Sequence, residues 1–288
     1  MNTFDKAAQA ILLADGLLIT AGAGLGVDSG LPDFRGDNGF WQAYPALGDR
    51  GISFSSIASP SAFKGNARQA WGFYGHRLNL YRRTVPHGGF DILKRIGSSR
   101  PRGSFVFTSN VDGQFQKAGF PADQVAEVHG SIHHLQCVTG CLDDIWSANG
   151  FEPEIDAANC LLTSPFPTCP HCGALARPNI LMFGDWQWLE HRSAGQKAAL
   201  GAWLSQVERL VIIELGAGTS IPTVRRVGDS HNGTLIRINP READVSRPGD
   251  ISIACSALEA LTQIRDRLPI SIRSQGHPLT NNVVGKES

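Results

Sequence analysis

Three groups of residues in this 288-residue sequence have types and spacings that could do chemistry. The first is a glycine-rich turn, Gly22-Ala23-Gly24-Leu25-Gly26, entered from the apolar run 16–20 and followed by Ser29-Gly30 and Asp33-Phe34-Arg35-Gly36. Glycines after a buried strand let backbone N–H groups approach a pyrophosphate at a helix start. A tight turn with no ligand would look the same. The second group is Asn110 and Asp112 after the apolar run 104–108, with His129-Gly130 after 125–128. An ordinary pKa near 6.5 suits such a histidine to general-base work, although a strand-end histidine more often serves a loop carbonyl. The third is Cys137-x3-Cys141 with Cys169-x2-Cys172, two pairs separated by 27 residues. Four thiolates suit a tetrahedral structural zinc with no open position for catalysis. The alternative is two pairs of inert buried thiols.

The elements that must position these groups alternate. A helix is expected over 3–14, strands at 16–20, 104–108, 125–128, 209–215, 234–238 and 251–254, and a last helix over 258–268. Strands apolar on both faces predict an α/β fold: a Rossmann-like, mostly parallel sheet with helices on both faces and ligands beyond the strands' carboxyl ends. Residues 37–95, rich in aromatics, read as a helical and loop insertion. Residues 131–178, rich in Cys, Pro and turns, read as an inserted zinc-ribbon module. The Rossmann-like nucleotide-binding body then comprises 1–36, 96–130 and 179–272, and 273–288 is expected to be a disordered tail. A dehydrogenase is disfavoured. Val27 stands where a third glycine should be, and the following region, GFWQAYPALGDRG, offers no strand-end acid for a ribose.

Apolar residues make up 42% and charged residues 18% of the chain, enough for a sizeable core. With 26 basic and 26 acidic residues there is no electrostatic case for nucleic acid or an anionic membrane as partner. The N-terminal stretch lacks a basic leader and is broken by Asp15 and Gly16, so it does not read as a signal peptide. No run approaches the roughly 20 apolar residues of a membrane span. Paired cysteines without a disulfide framework point to a reducing, cytoplasmic setting.

Together these residues resemble the sirtuin family. Gly22-Ala23-Gly24 with Ser29 to Arg35 resembles its GAG…SGIPDFR signature, and Ser109-Asn110-Val111-Asp112 its Q-N-I-D. His129-Gly130 is similar to its H-G, and Phe183-Gly184-Asp185 to its F-G-E. Gly216-Ala217-Gly218-Thr219-Ser220 is similar to its G-x-G-T-S, and Ile238-Asn239 to its I-N. These matches run in family order from about residue 8 to residue 268. The resemblance implies cleavage of the nicotinamide–ribose bond of NAD and transfer of an acyl group from lysine, giving nicotinamide and O-acyl-ADP-ribose. It implies His129 as general base, Asp112 on the nicotinamide carboxamide, Asn110 positioning the ribose or a water, and Phe34 shielding the reacting carbon. Ala21, Gly22, Ala23, Gly24, Asp33, Arg35, Ser109, Gly216, Ala217, Gly218, Ser220 and Asn239 would hold the cofactor, with Cys255 as core or pocket lining. Phe183 and Gly184 would meet the acyl-lysine protein, and the four paired cysteines the zinc.

The match has departures. Ser109 replaces a glutamine, and Asp185-Trp186 replaces the glutamate after Phe-Gly. Residues 37–60 resemble a divergent microbial subgroup, including macrodomain-linked members that transfer ADP-ribose to proteins. Those members replace the catalytic histidine; the retained His129 favours deacylation. Tyr74 and Arg77, i and i+3 on one helix face, are similar to a pair that binds acidic acyl groups; the plainer reading is a core tyrosine beside a surface arginine. ADP-ribosyl transfer, NAD hydrolysis and a non-catalytic NAD or ADP-ribose sensor are the competing readings.

Overall fold

The structure is a computed structural model that describes residues 2–33 and 36–273, without the side chains of residues 36–38 and 273. Phe34, Arg35 and the tail from 274 onward therefore lie outside the described residues. In chain order the strands are β1 (Gly16–Ala21), β2 (Ser104–Thr108), β3 (Val125–Glu127), β4 (Gly130–Cys137), β5 (Ile145–Ser147), β6 (Ile155–Asp156), β7 (Leu161–Leu162), β8 (Ala176–Ile180), β9 (Leu210–Leu215), β10 (Thr234–Ile238) and β11 (Ile251–Ile253). The longer helices beyond the 36–65 region are α1 (Thr3–Leu13), α2 (Ala67–Arg83), α3 (Gly88–Ser98), α4 (His191–Leu204), α5 (Thr223–Ser230) and α6 (Ala257–Arg265).

Six strands form one sheet in the order β11-β10-β9-β1-β2-β3, parallel at every pairing. Alternate residues of β1 serve opposite faces, as strand geometry requires. Leu17 and Ile19 join a core with Phe90 and Leu93 of α3 and Leu261 of α6. Leu18 joins Phe105, Ile212 and Leu200 on the other face. The chain runs outward one way from β1 and the other way from β9. The β1/β9 boundary is therefore the switch point where open α/β sheets bind ligands. Asp15 closes the opposite end, its carboxylate accepting the N–H groups of Arg209 at 3.0 Å and Glu208 at 3.3 Å.

A third core lies beside the sheet and is shared by the helical region and the cysteine-rich module. Phe40, Trp71, Phe73 and Tyr74 pack there with Ile132, Leu135, Leu162 and Ala176. The two insertions thus form one apolar unit rather than two appendages. Trp71 Nε1 donates to the Ala176 carbonyl at 3.0 Å, and Arg82 donates to the carbonyls of Ala148 and Phe151 at 2.8 and 2.7 Å.

Several boundaries differ from expectation. Helix α3, most of which falls inside 37–95, packs on the sheet because Phe90, Leu93 and Ile96 face it. Strand β8 begins three residues before 179 and pairs antiparallel with β4, so residues 179–180 complete the small sheet. The last helix stops at Arg265 and is followed by a further turn, Ile270–Arg273. Among the described residues, no helix is long and apolar enough to cross a membrane.

Candidate active site

A cleft of about 630 Å³ opens above the switch point, within the size range of cofactor and substrate sites. One wall is main chain. Gly22 leads from β1 into a tight 3-10 turn, Ala23–Ser29, which Gly30 ends in the left-handed conformation. Gly216, following β9, has φ +58 and lies against that turn. A Cβ there would sit 2.3 Å from the Gly24 carbonyl carbon, and one on Gly22 would sit 2.8 Å from the Gly216 oxygen. The glycines therefore let two loops interlock as well as leaving backbone open to the cleft. Gly24 N–H donates to the Gly216 carbonyl at 3.0 Å.

Asn239 lies beneath this wall, buried, and does not line the cleft. Its Nδ2 donates to the Ala217 carbonyl at 3.0 Å, and its Oδ1 accepts the N–H groups of Arg241 and Glu242. It shapes the loops that do line it. Ala21 is likewise buried, its carbonyl accepting Thr108 Oγ1 at 2.9 Å. Cys255 is half-buried against the sheet core, and burial pushes its thiol up to about 11. The structure thus places Ala21, Asn239, Cys255 and Gly184 outside the cleft lining, which includes Gly22, Ala23, Gly24, Asp33, Ser109, Gly216, Ala217, Gly218 and Ser220.

At the other end stand Asn110, Asp112 and His129, all lining the cleft. Asn110 Nδ2 donates to the Gly22 carbonyl at 3.0 Å, joining the β2 loop to the glycine turn. Asp112 is buried, its Oδ1 accepting Gln114 N–H at 2.9 Å. Burial pushes its carboxyl up to about 6, with the Glu127 charge adding to the shift and the Gln114 N–H and Arg77 opposing it. His129 is half-buried, and burial holds its ring below the ordinary 6.5. It is therefore neutral near pH 7 and able to accept a proton. His87 and His133 have structural partners, the carbonyls of Leu25 at 3.0 Å and of Asp112 at 2.9 Å.

The facing wall is made of side chains. Tyr74, Arg77 and Tyr81 project from α2, and Phe54, Met182 and Phe183 complete it. Arg77 Nε and Nη2 both donate to Tyr81 Oη, at 2.9 and 2.7 Å. Its guanidinium lies 5.2–5.9 Å from the ring centres of Phe73, Tyr81 and Tyr74. Arg77 is thus buried rather than a surface cation. Tyr81 escaped the sequence reading, although its i+7 spacing from Tyr74 and i+4 from Arg77 puts it on their face. Thr219 of the Gly216–Ser220 motif lines the cleft and donates Oγ1 to Glu242 Oε1 at 2.6 Å, and Phe54 and Glu242 line it unannounced. No local pattern marks them, because loops from distant parts of the chain bring them in.

The four paired cysteines converge, with one sulfur from each within 4.8 Å of all the others. Cys137 and Cys172 sulfurs lie 3.7 Å apart, and those of Cys141 and Cys169 3.5 Å. Zn–S bonds of about 2.3 Å in a tetrahedron imply sulfur separations of roughly 3.8 Å, whereas a disulfide needs about 2.05 Å. The quartet fits a structural zinc. Gly140 and Gly173, both left-handed, turn the two knuckles. Cys160 and His171 stay apart from the quartet; His171 Nε2 meets Asp144 at 2.8 Å instead.

The comparisons with known proteins agree with this architecture. The chain is 34% identical over 253 residues to an NAD-dependent protein deacylase of Pyrococcus furiosus, covering 86% of this chain and 90% of that one. It is 27% identical over 262 residues to one from Aquifex aeolicus, covering 90% and 98%. A solved Sir2 homologue in complex with ADP-ribose superposes with a TM-score of 0.69 at 23% identity, over 95% of this chain and 97% of that one. At that identity the superposition shows the fold alone. The Sir2 family pattern itself matches residues 22–221, and with a relative above 30% identity across most of both chains, this protein belongs to the Sir2 family.

Proposed function

We propose that this protein is an NAD-dependent protein-lysine deacylase, releasing nicotinamide and O-acyl-ADP-ribose, with acylated lysines of proteins as its acceptors. The observation that carries the reading is the convergence of Asn110, Asp112 and the half-buried His129 with the interlocked glycine loops in one cleft. The cleft fits the dinucleotide in size, and its backbone-built wall suits a pyrophosphate. Bound NAD supplies the ribosyl carbon that receives the acyl oxygen as nicotinamide leaves. His129 takes up a ribose hydroxyl proton on a ring nitrogen, Asp112 orients the carboxamide, and Asn110 holds the Gly22 turn in register. The side-chain wall of Phe54, Met182 and Phe183 excludes water from the acceptor. Cys137, Cys141, Cys169 and Cys172 would hold a zinc with four thiolates, which would serve the scaffold rather than the reaction. Neutral net charge and unpaired cysteines support a cytoplasmic protein acting on proteins rather than nucleic acid.

Incubation with NAD and a mixed acyl-lysine peptide library, with products identified by mass, tests the reading. O-acyl-ADP-ribose is expected. Free ADP-ribose alone would mean hydrolysis, a modified protein transfer, and no NAD loss a sensor. His129→Ala should lower deacylation roughly 100-fold or more, the scale of lost general-base catalysis.

An acidic acyl group is a second reading, favoured by a buried arginine in the cleft wall beside Tyr74. The Tyr81 hydroxyl competes for the same guanidinium. Arg77→Met should lower succinyl-peptide turnover relative to acetyl-peptide turnover; an unchanged ratio sinks it.

A further inference from the structure

Strand β4 leaves its ladder for three residues. It pairs with β8 at Gly130–Ile180 and Ser131–Asn179 and resumes at Leu135–Pro178, so one step along β8 spans four along β4. Irregularities of this kind re-aim side chains beside active sites. Here residues 132 and 133 turn to the loop that carries Asn110 and Asp112. Ile132 N–H donates to the Val111 carbonyl at 3.0 Å, and His133 Nε2 donates to the Asp112 carbonyl at 2.9 Å. The ring lies against Gly113, whose φ is +68; a Cβ there would sit 2.7 Å from His133 Cδ2. The His133 main chain is itself pinned, its carbonyl accepting Ala148 N–H at 2.9 Å. Burial holds the ring below the ordinary 6.5, so near pH 7 it carries one ring proton. A carbonyl only accepts, which places that proton on Nε2. Gln114, 1% exposed, grips the same loop. Its N–H donates to the Asp112 carboxylate at 2.9 Å, and its Nε2 donates to the Tyr81 carbonyl at 3.2 Å.

We propose that His133 is a positioning residue: through the Asp112 carbonyl it sets where the Asp112 carboxylate stands relative to the His129 ring, and so acts on the nicotinamide end of the cofactor. The proposal rests on the reading of the cleft as an NAD site in which Asp112 meets the carboxamide. His129 immediately precedes β4, and its carbonyl accepts Leu181 N–H at 2.9 Å, so the base is tied to the small sheet. Asp112 instead follows β2 of the parallel sheet. Two groups that must act on one cofactor thus stand on different units, and the irregular stretch of β4 is where one unit grips the other. His133 does not line the cleft, so it acts through Asp112 and not on the cofactor itself. A hydrogen bond to a main-chain carbonyl holds the whole peptide unit. A misplacement of about 1 Å at a reacting group can cost roughly 100-fold in rate.

The test compares binding of NAD with that of ADP-ribose, which lacks the nicotinamide, by calorimetry on the zinc-loaded full chain. His133→Leu should weaken NAD binding about tenfold, the scale of one lost hydrogen bond, and leave ADP-ribose binding unchanged. KM for NAD should rise while KM for acyl-peptide stays where it is. His133→Gln, which keeps a donor of similar reach, should restore most of the difference. In an Asp112→Ala background, His133→Leu should no longer change the ratio of NAD to ADP-ribose affinity. Equal weakening of both ligands would mean a general structural role, and an undiminished effect over Asp112→Ala a route other than Asp112. Either overturns the proposal, as does an unchanged NAD affinity in His133→Leu. If His133→Leu does not fold, His133→Asn, whose amide is too short to reach, takes its place in the same comparison. A His133-dependent NAD affinity in a chain that turns over no acyl-peptide would sink the deacylase reading and leave the positioning role standing. Deacylation with no such dependence would do the reverse, and a wild type that binds neither ligand would sink both.

Discussion

The two walls of the cleft are built from different material. Toward the parallel sheet the wall is main chain, where Gly22, Gly24 and Gly216 touch so closely that an added Cβ falls 2.3–2.8 Å from a neighbouring backbone atom. Toward the zinc module the wall is side chains, with Phe54, Tyr74, Arg77, Tyr81 and Phe183 standing on helices and loops that share a core. A wall of interlocked backbone leaves no room for change, because neither loop can yield without breaking the other. A wall of side chains can repack. The first suits an invariant dinucleotide and the second an acceptor that varies.

The most direct way to break this contrast is Gly216→Ala. The left-handed backbone and the 2.3 Å clash together should destabilise by about 4 kcal/mol or more. The large core truncation Phe54→Ala on the other wall should cost about 2–3 kcal/mol, since that rim can partly collapse. Thermal unfolding compares the two; equal losses would erase the distinction between the walls.

Metal removal sharpens it next. Structural zinc contributes on the order of 10 kcal/mol to small domains that depend on it. A strong chelator at mildly acidic pH should therefore release one zinc per chain and abolish peptide deacylation. The parallel sheet has its own cores on both faces, so far-UV circular dichroism should fall only in part. Complete unfolding on chelation would mean that the two units do not stand apart energetically.

The smallest effect concerns Asp112. Its folded-state value, pushed by burial from 3.8 to about 6, means the carboxyl favours the fold below about pH 4 and loses that contribution as pH rises through 6. Ionised at pH 7–8 it destabilises the protein by up to about 3 kcal/mol. Asp112→Asn should therefore be more stable by roughly 2–3 kcal/mol at pH 8, equal to the wild type below pH 4, and poorly active. Urea unfolding at the two pH values measures it.

Much of this was legible in the residues. Two-faced apolar strands dictate a parallel sheet, and Cys-x3-Cys with Cys-x2-Cys dictates a metal knuckle, because both signals are local and periodic. His129, Asn110 and Asp112 were readable as a set through their order along the chain. The side-chain wall was less so: Tyr81 was visible only as a helix-face neighbour, and Phe54 and Glu242 arrive from separate loops.

By itself, the sequence determined the sheet, the two cysteine pairs and the strand ends that carry the polar residues, since each depends on spacing within one segment. Tertiary structure alone decided what the residues face. It committed Arg77 to Tyr81, turned Asn239 into a brace for the cofactor loops, and made the glycines meet each other across the β1/β9 boundary. It also buried Asp185 while leaving Trp186 in water. These are contacts between segments tens to hundreds of residues apart, or choices between the inside and outside of one turn. No local spacing specifies them; the packing of the two units around the cleft does.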